Sequence, residues 1–490
     1  MRLQIRGFLA GAVALSLAAC ATIPAAPRAP SLDAIEGNLS RDIAALSDDS
    51  FGGRFPGSEG ESRTRSWIVE RLTQLGLEPA GGDGDWTQDF TLARRTPLAD
   101  AGASKAVFSR GGRSVRVTDG LLGVDQGRDR ADIADLPMVG IDPSIETIAP
   151  RSLVKRALVL PASALAARAA QFAAAKPEAV VVTTGDQAEY DRFSGFLKNG
   201  RWLLESDDHM PAIVLLAPEN SGKLMDLIGA NARRHADGLG VIGYDTILEA
   251  SITQKVDRIE TANIVGRLPG RVEGSGAVLM LAHWDHLGEA CRAPDAADRL
   301  CNGAVDNASG IAVMVEAVRL ALSEGPLDRD LIVLATSSEE LGLLGAEAFV
   351  ADPPVPLPTI VAAFNLDTMA VAPRGSAVSV IGWGRTPLDQ GIEAVVEAQG
   401  RQLQLEDWHQ SFLRRQDGWA LLSRDVPTVL VSSAAADRAM FEGFMGGNYH
   451  TPQDEFSSEL ELGGAAEDTR LHAALLRYFG SVTTYSGGGG

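Results

Sequence analysis

Residues 277–286 read AVLMLAHWDH: an unbroken apolar run, then imidazoles at His283 and His286 with the carboxylate of Asp285 between them. An apolar run this short fits a strand buried on both faces, and the polar residues begin where that strand would end. The pattern repeats along the chain. Residues 330–336 (DLIVLAT) stop just short of Glu339 and Glu340, residues 359–364 (TIVAAF) run into Asp367, and residues 427–432 (PTVLVS) read as a further buried strand. After Asp306, the residues Ile311, Met314, Val315, Val318 and Leu322 recur at helical spacing, which predicts a helix with one apolar face. Strands alternating with helices predict an α/β fold, a mostly parallel mixed sheet flanked by helices on both faces. Such sheets bind ligands beyond the carboxyl ends of their strands, and the acids and histidines fall there.

The chemistry-bearing residues are His283, Asp285, Asp306, Glu339, Glu340, Asp367 and His450, in the segments LAHWDHLG, NGAVDNASG, LATSSEELGLLG, AAFNLDTMA and GGNYHTPQDE. Two imidazoles with this many carboxylates suit a pair of divalent ions, zinc first, with cobalt or manganese as substitutes. The bland reading makes the acids solvated surface charges and the histidines core residues. An H-x-D followed by D-N-A-S-G, an adjacent Glu pair, N-x-D and Y-H-T-P argues against it. Asp285 lies two residues from His283, on the same strand face, and is expected to accept the second ring N–H of that histidine. Trp284 and His286 are read as neighbours rather than participants. Tyr449 is read as lining a pocket or packing.

The order and spacing of these motifs over residues 263 to 455 resemble the M28 metallo-aminopeptidases, the co-catalytic zinc exopeptidases. The resemblance implies that Asp306 bridges two zinc ions. His283 and Asp367 would complete one site, and Glu340 and His450 the other. It also implies that Glu339 is general base and then acid, that the Asp306–Asn307 bond is cis, and that the substrates are peptides cleaved at their amino termini. The chain departs from the family's S-D-H-x-x-F stretch: it has Arg415-Gln416-Asp417-Gly418-Trp419-Ala420, retaining only the aspartate, which bears on the shape of the substrate pocket. Carboxypeptidase action and glutaminyl cyclisation on the same fold are the rival activities. Neither H-E-x-x-H nor G-x-S-x-G occurs.

Composition bounds the rest. A chain of 490 residues, 45% hydrophobic, can bury a large core and should form two or more domains. Its net charge of −20 becomes −22 without residues 1–20, which hold Arg2 and Arg6 and no acid; a nucleic-acid partner is therefore not expected. Residues 1–20 read as a lipoprotein signal ending in Leu17-Ala18-Ala19-Cys20, with an apolar stretch too short to span a bilayer. Cys20 would carry the lipid anchor and hold the protein at a membrane facing the periplasm.

 Ala21, rather than an acid, follows the cysteine, and lipoprotein sorting then points to the outer membrane. Residues 21–38, with Pro24, Pro27 and Pro30, read as a tether. No obligate protein partner is evident.

Cys291 and Cys301 remain. Export exposes them to an oxidising compartment, so they are expected to pair; metal binding is the weaker alternative. Residues 39–99 open the peptidase part, with a helix around 39–46 and an amphipathic face at Ile68, Leu72 and Leu75. Arg54, in R-x-x-G-S-x-G, is read as a loop salt bridge rather than a substrate binder. Residues 100–254 hold RALVLP, an Ala-rich helix over 163–175, EAVVVTTGD and MPAIVLLAPENSGKLMDLIGA, and resemble an inserted protease-associated domain. His209 and His235 within it are read as solvated or structural. A linker-like stretch ending near Lys255 precedes the catalytic part, residues 255–485, and residues 486–490 form a glycine-rich tail.

Overall fold

A computed structural model describes residues 30–487 except 99, 101, 142–146, 166–171, 173, 206–209, 230–234, 237–240 and 292–296. Residues 1–29, which hold the expected lipoprotein signal, Cys20 and most of the expected tether, lie outside the described residues, as does His209. Among the described residues no helix is long and apolar enough to cross a membrane.

The four apolar runs form the parallel centre of one sheet. Asp330–Thr336 pairs parallel with Ala277–His283, which pairs parallel with Ile360–Asn365, which pairs parallel with Thr428–Ser432. Antiparallel strands flank this centre, Ser379–Ile381 beyond one edge and Val241–Leu268 beyond the other. Alternate side chains leave opposite faces of a strand. Val278, Met280 and Ala282 accordingly pack with the helices Leu32–Leu46, Ser309–Ser323 and Gly463–Phe479. Leu279 and Leu281 pack on the other face, with Phe349 of the Leu344–Ala351 helix and Leu421 of Gly418–Leu422. Helices therefore cover both faces, and apolar residues are needed at every strand position.

The helix after Asp306 is buried around most of its circumference rather than along one apolar face. It lies in the layer shared with Leu32–Leu46 and Gly463–Phe479, so small residues such as Ala312, Ala317 and Ala321 face neighbours instead of water. The first of these helices also shortens the tether: Leu32–Leu46 begins with Ser31 as its cap, and Ile35 and Leu39 are fully buried.

The second sheet lies within residues 105–253 and has its own apolar clusters. In it Arg130–Ile141, Ala157–Pro161, Ala179–Thr183 and Ala212–Leu216 run parallel in that order. Only Ala162–Leu165 and a few later residues of the Ala-rich segment fall among the described residues.

The expected linker near Lys255 is instead the middle of one continuous strand, Val241–Leu268, which belongs to both sheets. Its first half pairs with Arg130–Ile141, and its second half pairs with Thr87–Pro97 from Gln254↔Pro97 to Ile264↔Thr87. Buried residues alternate with less buried ones over 248–254, as on a half-solvated strand, and residues 255–260 are half-buried or exposed. The chain thus leaves and re-enters the first sheet along a paired two-stranded ribbon. Replacing Lys255 or Val256 by proline tests this. A linker tolerates both changes; in a paired strand at least one removes a ladder hydrogen bond, worth about 0.5–1.5 kcal/mol before any clash, and the melting temperature falls.

Candidate metal centre

The parallel strands deliver their side chains to one edge. His283 is the last residue of its strand and sits in register with Thr336. Its Nε2 lies 3.3 Å from Asp306 Oδ1 and 3.7 Å from Asp367 Oδ1. The second carboxylate oxygen of Asp306 faces the other way, 3.3 Å from His450 Nε2, and that nitrogen is 2.8 Å from Glu340 Oε2. One carboxylate therefore lies between two sets of donors, His283 with Asp367 and Glu340 with His450. Asp306 occupies the turn Ala304–Ala308 that opens the Ser309–Ser323 helix, and its peptide bond to Asn307 is cis. Asn307 ties this turn to the next strand end: Nδ2 donates to Leu366 O at 2.9 Å, and Oδ1 accepts from Thr368 N at 3.2 Å.

Glu339 and Glu340 sit in a turn between Asp330–Thr336 and Leu344–Ala351, not on the helix itself. Asp285 holds that turn. Its carboxylate accepts from the amide of Glu339 at 3.1 Å and approaches that of Glu340 at 3.4 Å. This differs from the expected relay. His283 Nδ1 meets the backbone carbonyl of Asp285 at 3.1 Å, while the Asp285 carboxylate is 3.8 Å away. Two amides of the Glu-bearing turn compete for the carboxylate, and the carbonyl is left to orient the ring. Burial pushes the Asp285 carboxyl up to about 7. Burial also pushes Glu339 well above the usual carboxylate range, with His283 opposing and Glu340 and Asp367 adding to the shift.

His286 is a participant that sequence reading passed over. It is fully buried, and its Nδ1 lies 2.6 Å from Glu340 Oε1, the oxygen turned away from His450. This places a third imidazole against the carboxylate of Glu340.

The donor set fits divalent ions. Asp306 Oδ2, Glu340 Oε1, His450 Nε2 and both ring nitrogens of His286 are buried without a hydrogen-bond partner inside the protein. Buried polar atoms are rarely left so, and like-charged carboxylates this close require cations. His283, Asp306 and Asp367 offer atoms close enough to share an ion, and so do His286, Asp306 and Glu340, with His450 Nε2 3.3 Å from Asp306 Oδ2 and 2.8 Å from Glu340 Oε2.

The sequence model of Peptidase family M28 matches residues 263–474, the segment that carries every donor named above. Residues 263–474 form an M28 peptidase domain. A stretch of 103 residues, 20% of this chain, is 36% identical to the vacuolar membrane protease of Yarrowia lipolytica and spans 9% of that protein. Another of 178 residues is 26% identical to aminopeptidase YwaD of Bacillus subtilis and spans 36% of each chain. This chain thus covers well under half the length of either curated relative. Among solved structures, an aminopeptidase from Aneurinibacillus sp. strain AM-1 aligns with TM-score 0.47 and 16% identity over 91% of this chain and 93% of that one. The zinc aminopeptidase BSAP from Bacillus subtilis aligns with TM-score 0.44 and 17% identity over 90% and 94%.

Two residues support the peptidase domain from behind the donors. Asp454, four positions after His450, accepts from the amides of Val305 and Asp306 at 2.8 and 3.0 Å, and so binds the His450 loop to the Asp306 turn. Burial raises its carboxyl to about 6. Among the described residues Arg54 makes no salt bridge, the contact expected of it. It is 1% exposed and donates only to carbonyls: Trp284 at 2.7 Å, Leu46 at 2.8 Å, Asn302 at 2.6 Å and Gly303 at 2.9 Å. Burial lowers its pKa to about 10, and the charges of Asp454, Asp285, Asp306 and Glu340 oppose that shift. Asp454 was within a quoted motif, but nothing in a linear sequence marks Arg54. Cys291 and Cys301 form the expected disulfide, with Cα atoms 5.9 Å apart, in the loop before this turn.

Arg54 carries the local prediction. Arg54→Lys keeps the charge but cannot span four carbonyls with one ammonium group. Each buried carbonyl left unpaired costs about 1–3 kcal/mol. The variant should melt several degrees lower and bind zinc more weakly, although Arg54 touches no donor side chain. Unchanged melting and unchanged zinc affinity in titration calorimetry would contradict the bracing role.

Proposed function

We propose that this protein is a metal-dependent aminopeptidase that removes amino-terminal residues from peptides. The observation that carries the reading is the placement of Asp306 between two donor sets within an M28 peptidase domain. His283, Asp306 and Asp367 would hold one zinc ion, and Asp306, Glu340 and His450 a second. Divalent ions held there polarise a peptide carbonyl and lower the pKa of water toward neutrality. Cobalt or manganese would suit the same oxygen and nitrogen donors.

The chain's own residues do the rest. Glu339 lines the pocket beside Asp306 and Asp367 without belonging to either donor set, and its raised pKa suits a group that must accept a proton. It takes the proton of the attacking water and passes it to the departing amine. Asp285 fixes the Glu339 turn through its amides. His286 holds the outer oxygen of Glu340, and Tyr449 stacks on His450 with ring centroids 3.7 Å apart. The lipoprotein reading of residues 1–20 completes the proposal: Cys20 anchors the enzyme at the outer membrane, where it meets peptides in the periplasm.

Two neighbouring side chains test the mechanism. Glu339→Gln should retain full metal content while kcat falls by roughly 100-fold or more, because only proton transfer is removed. Glu340→Gln should lose metal affinity at one site and recover part of its activity in excess zinc. Metal analysis and kinetics on both variants decide between the roles. The reverse pattern exchanges the two residues, and full activity with full metal in both overturns the mechanism.

A further inference from the structure

The pocket beside the metal centre is lined by the acids Asp306, Glu339 and Asp367 and by apolar side chains, among them Ile381, Phe412, Leu430, Phe441 and Met445. Among the described residues Arg415 is the single basic one lining it. Its guanidinium rests over the Phe412 ring, 5.0 Å from the centroid, and among the described residues it has no carboxylate partner. The preceding Arg414 turns away onto Trp419, 4.7 Å from that ring's centroid.

The turn that presents Arg415 is fixed. Gln416 is 4% exposed; its Oε1 accepts from Asn365 Nδ2 and from Gly418 N, each at 2.7 Å, and its Nε2 donates to Leu413 O at 3.2 Å. Asp417 accepts from the Thr336 hydroxyl at the end of a central strand. The amide of Arg415 itself donates to Phe412 O. The residues that follow Arg415 are thus tied to two strand ends, and its guanidinium is laid on an aromatic face. Stacking positions the guanidinium plane but leaves its N–H donors free for an in-plane acceptor. A carboxylate matches that fork in two parallel hydrogen bonds.

We propose that Arg415 selects substrates that carry a carboxylate close to the scissile bond. Two sources share this chemistry: an acidic side chain on the first residue, and the free carboxyl terminus of a dipeptide. The inference rests on the peptidase reading above and names the substrate class of the same site.

The test uses the zinc-loaded full-length enzyme and two substrate pairs. Glutamyl-p-nitroanilide against glutaminyl-p-nitroanilide reports the side chain, and Leu-Leu against Leu-Leu-amide reports the carboxyl terminus. The wild type should prefer the carboxylate member of one pair, and Arg415→Gln should erase that preference, a loss of roughly 10- to 100-fold in kcat/KM. The uncharged members should change by less than about twofold, and Arg415→Lys should restore only part of the preference. Absence of preference in both pairs, or an equal loss on charged and uncharged members, overturns the inference. Metal-dependent cleavage of the uncharged members shows separately whether the peptidase reading stands. Calorimetric binding of Leu-Leu and of glutamate to the zinc-loaded Glu339→Gln enzyme makes the comparison independent of turnover. Equal affinity with and without the Arg415→Gln change also overturns it.

Discussion

The crowding of carboxylates at one end of a buried parallel sheet is the constraint on which the rest of this structure depends. Asp306, Glu340 and Asp367 stand within a few ångströms of two imidazoles. Without compensation such a cluster would drive its own members to take up protons or drive the loops apart. Cations relieve that repulsion directly. The protein contributes a second form of relief in backbone amides and one buried guanidinium, which hold the loops in place from the side away from substrate.

This division explains why so many supporting contacts are made to backbone. Asp454 binds the amides of Val305 and Asp306, Asp285 binds those of the Glu339–Glu340 turn, and Arg54 gathers carbonyls from the loops after Ala277–His283 and before Asp306. A contact to backbone sets the position of a turn without consuming the side-chain oxygens that face the metal centre. Gly303 shows how closely these loops approach: it has φ 59°, and a Cβ there would meet the carbonyl of Asp306 and the ring of His286. Orientation of the donors is therefore a property of several loops packed together rather than of any one motif.

The second sheet meets the same domain through a rigid device. A single strand, Val241–Leu268, passes from one sheet into the other, and Thr87–Pro97 runs antiparallel beside it. Arg95 and Arg258 share Asp129 and Glu205 across this junction. Paired backbone carries far fewer accessible conformations than a free linker, so the inserted part is held in a defined relation to the peptidase sheet.

Much of this was settled by the order of residues alone. Apolar runs at 277–282 and 330–336, each followed by ligand-type side chains, determine buried parallel strands and place the donors at one sheet edge, because a strand buried on both faces has no other reading at that length. That His283, Asp306, Glu340, Asp367 and His450 are neighbours is what the resemblance to the M28 peptidases implied. What only the tertiary structure decided are contacts that depend on where distant backbone goes. The Asp285 carboxylate turns to amides 54 and 55 positions away, His286 faces Glu340, Arg54 reaches carbonyls more than 200 positions distant, and Arg415 projects into the pocket. Periodicity and spacing describe a side chain's own element. A hydrogen bond to another loop's backbone leaves no mark in the residue types of that loop, since every residue carries the same carbonyl.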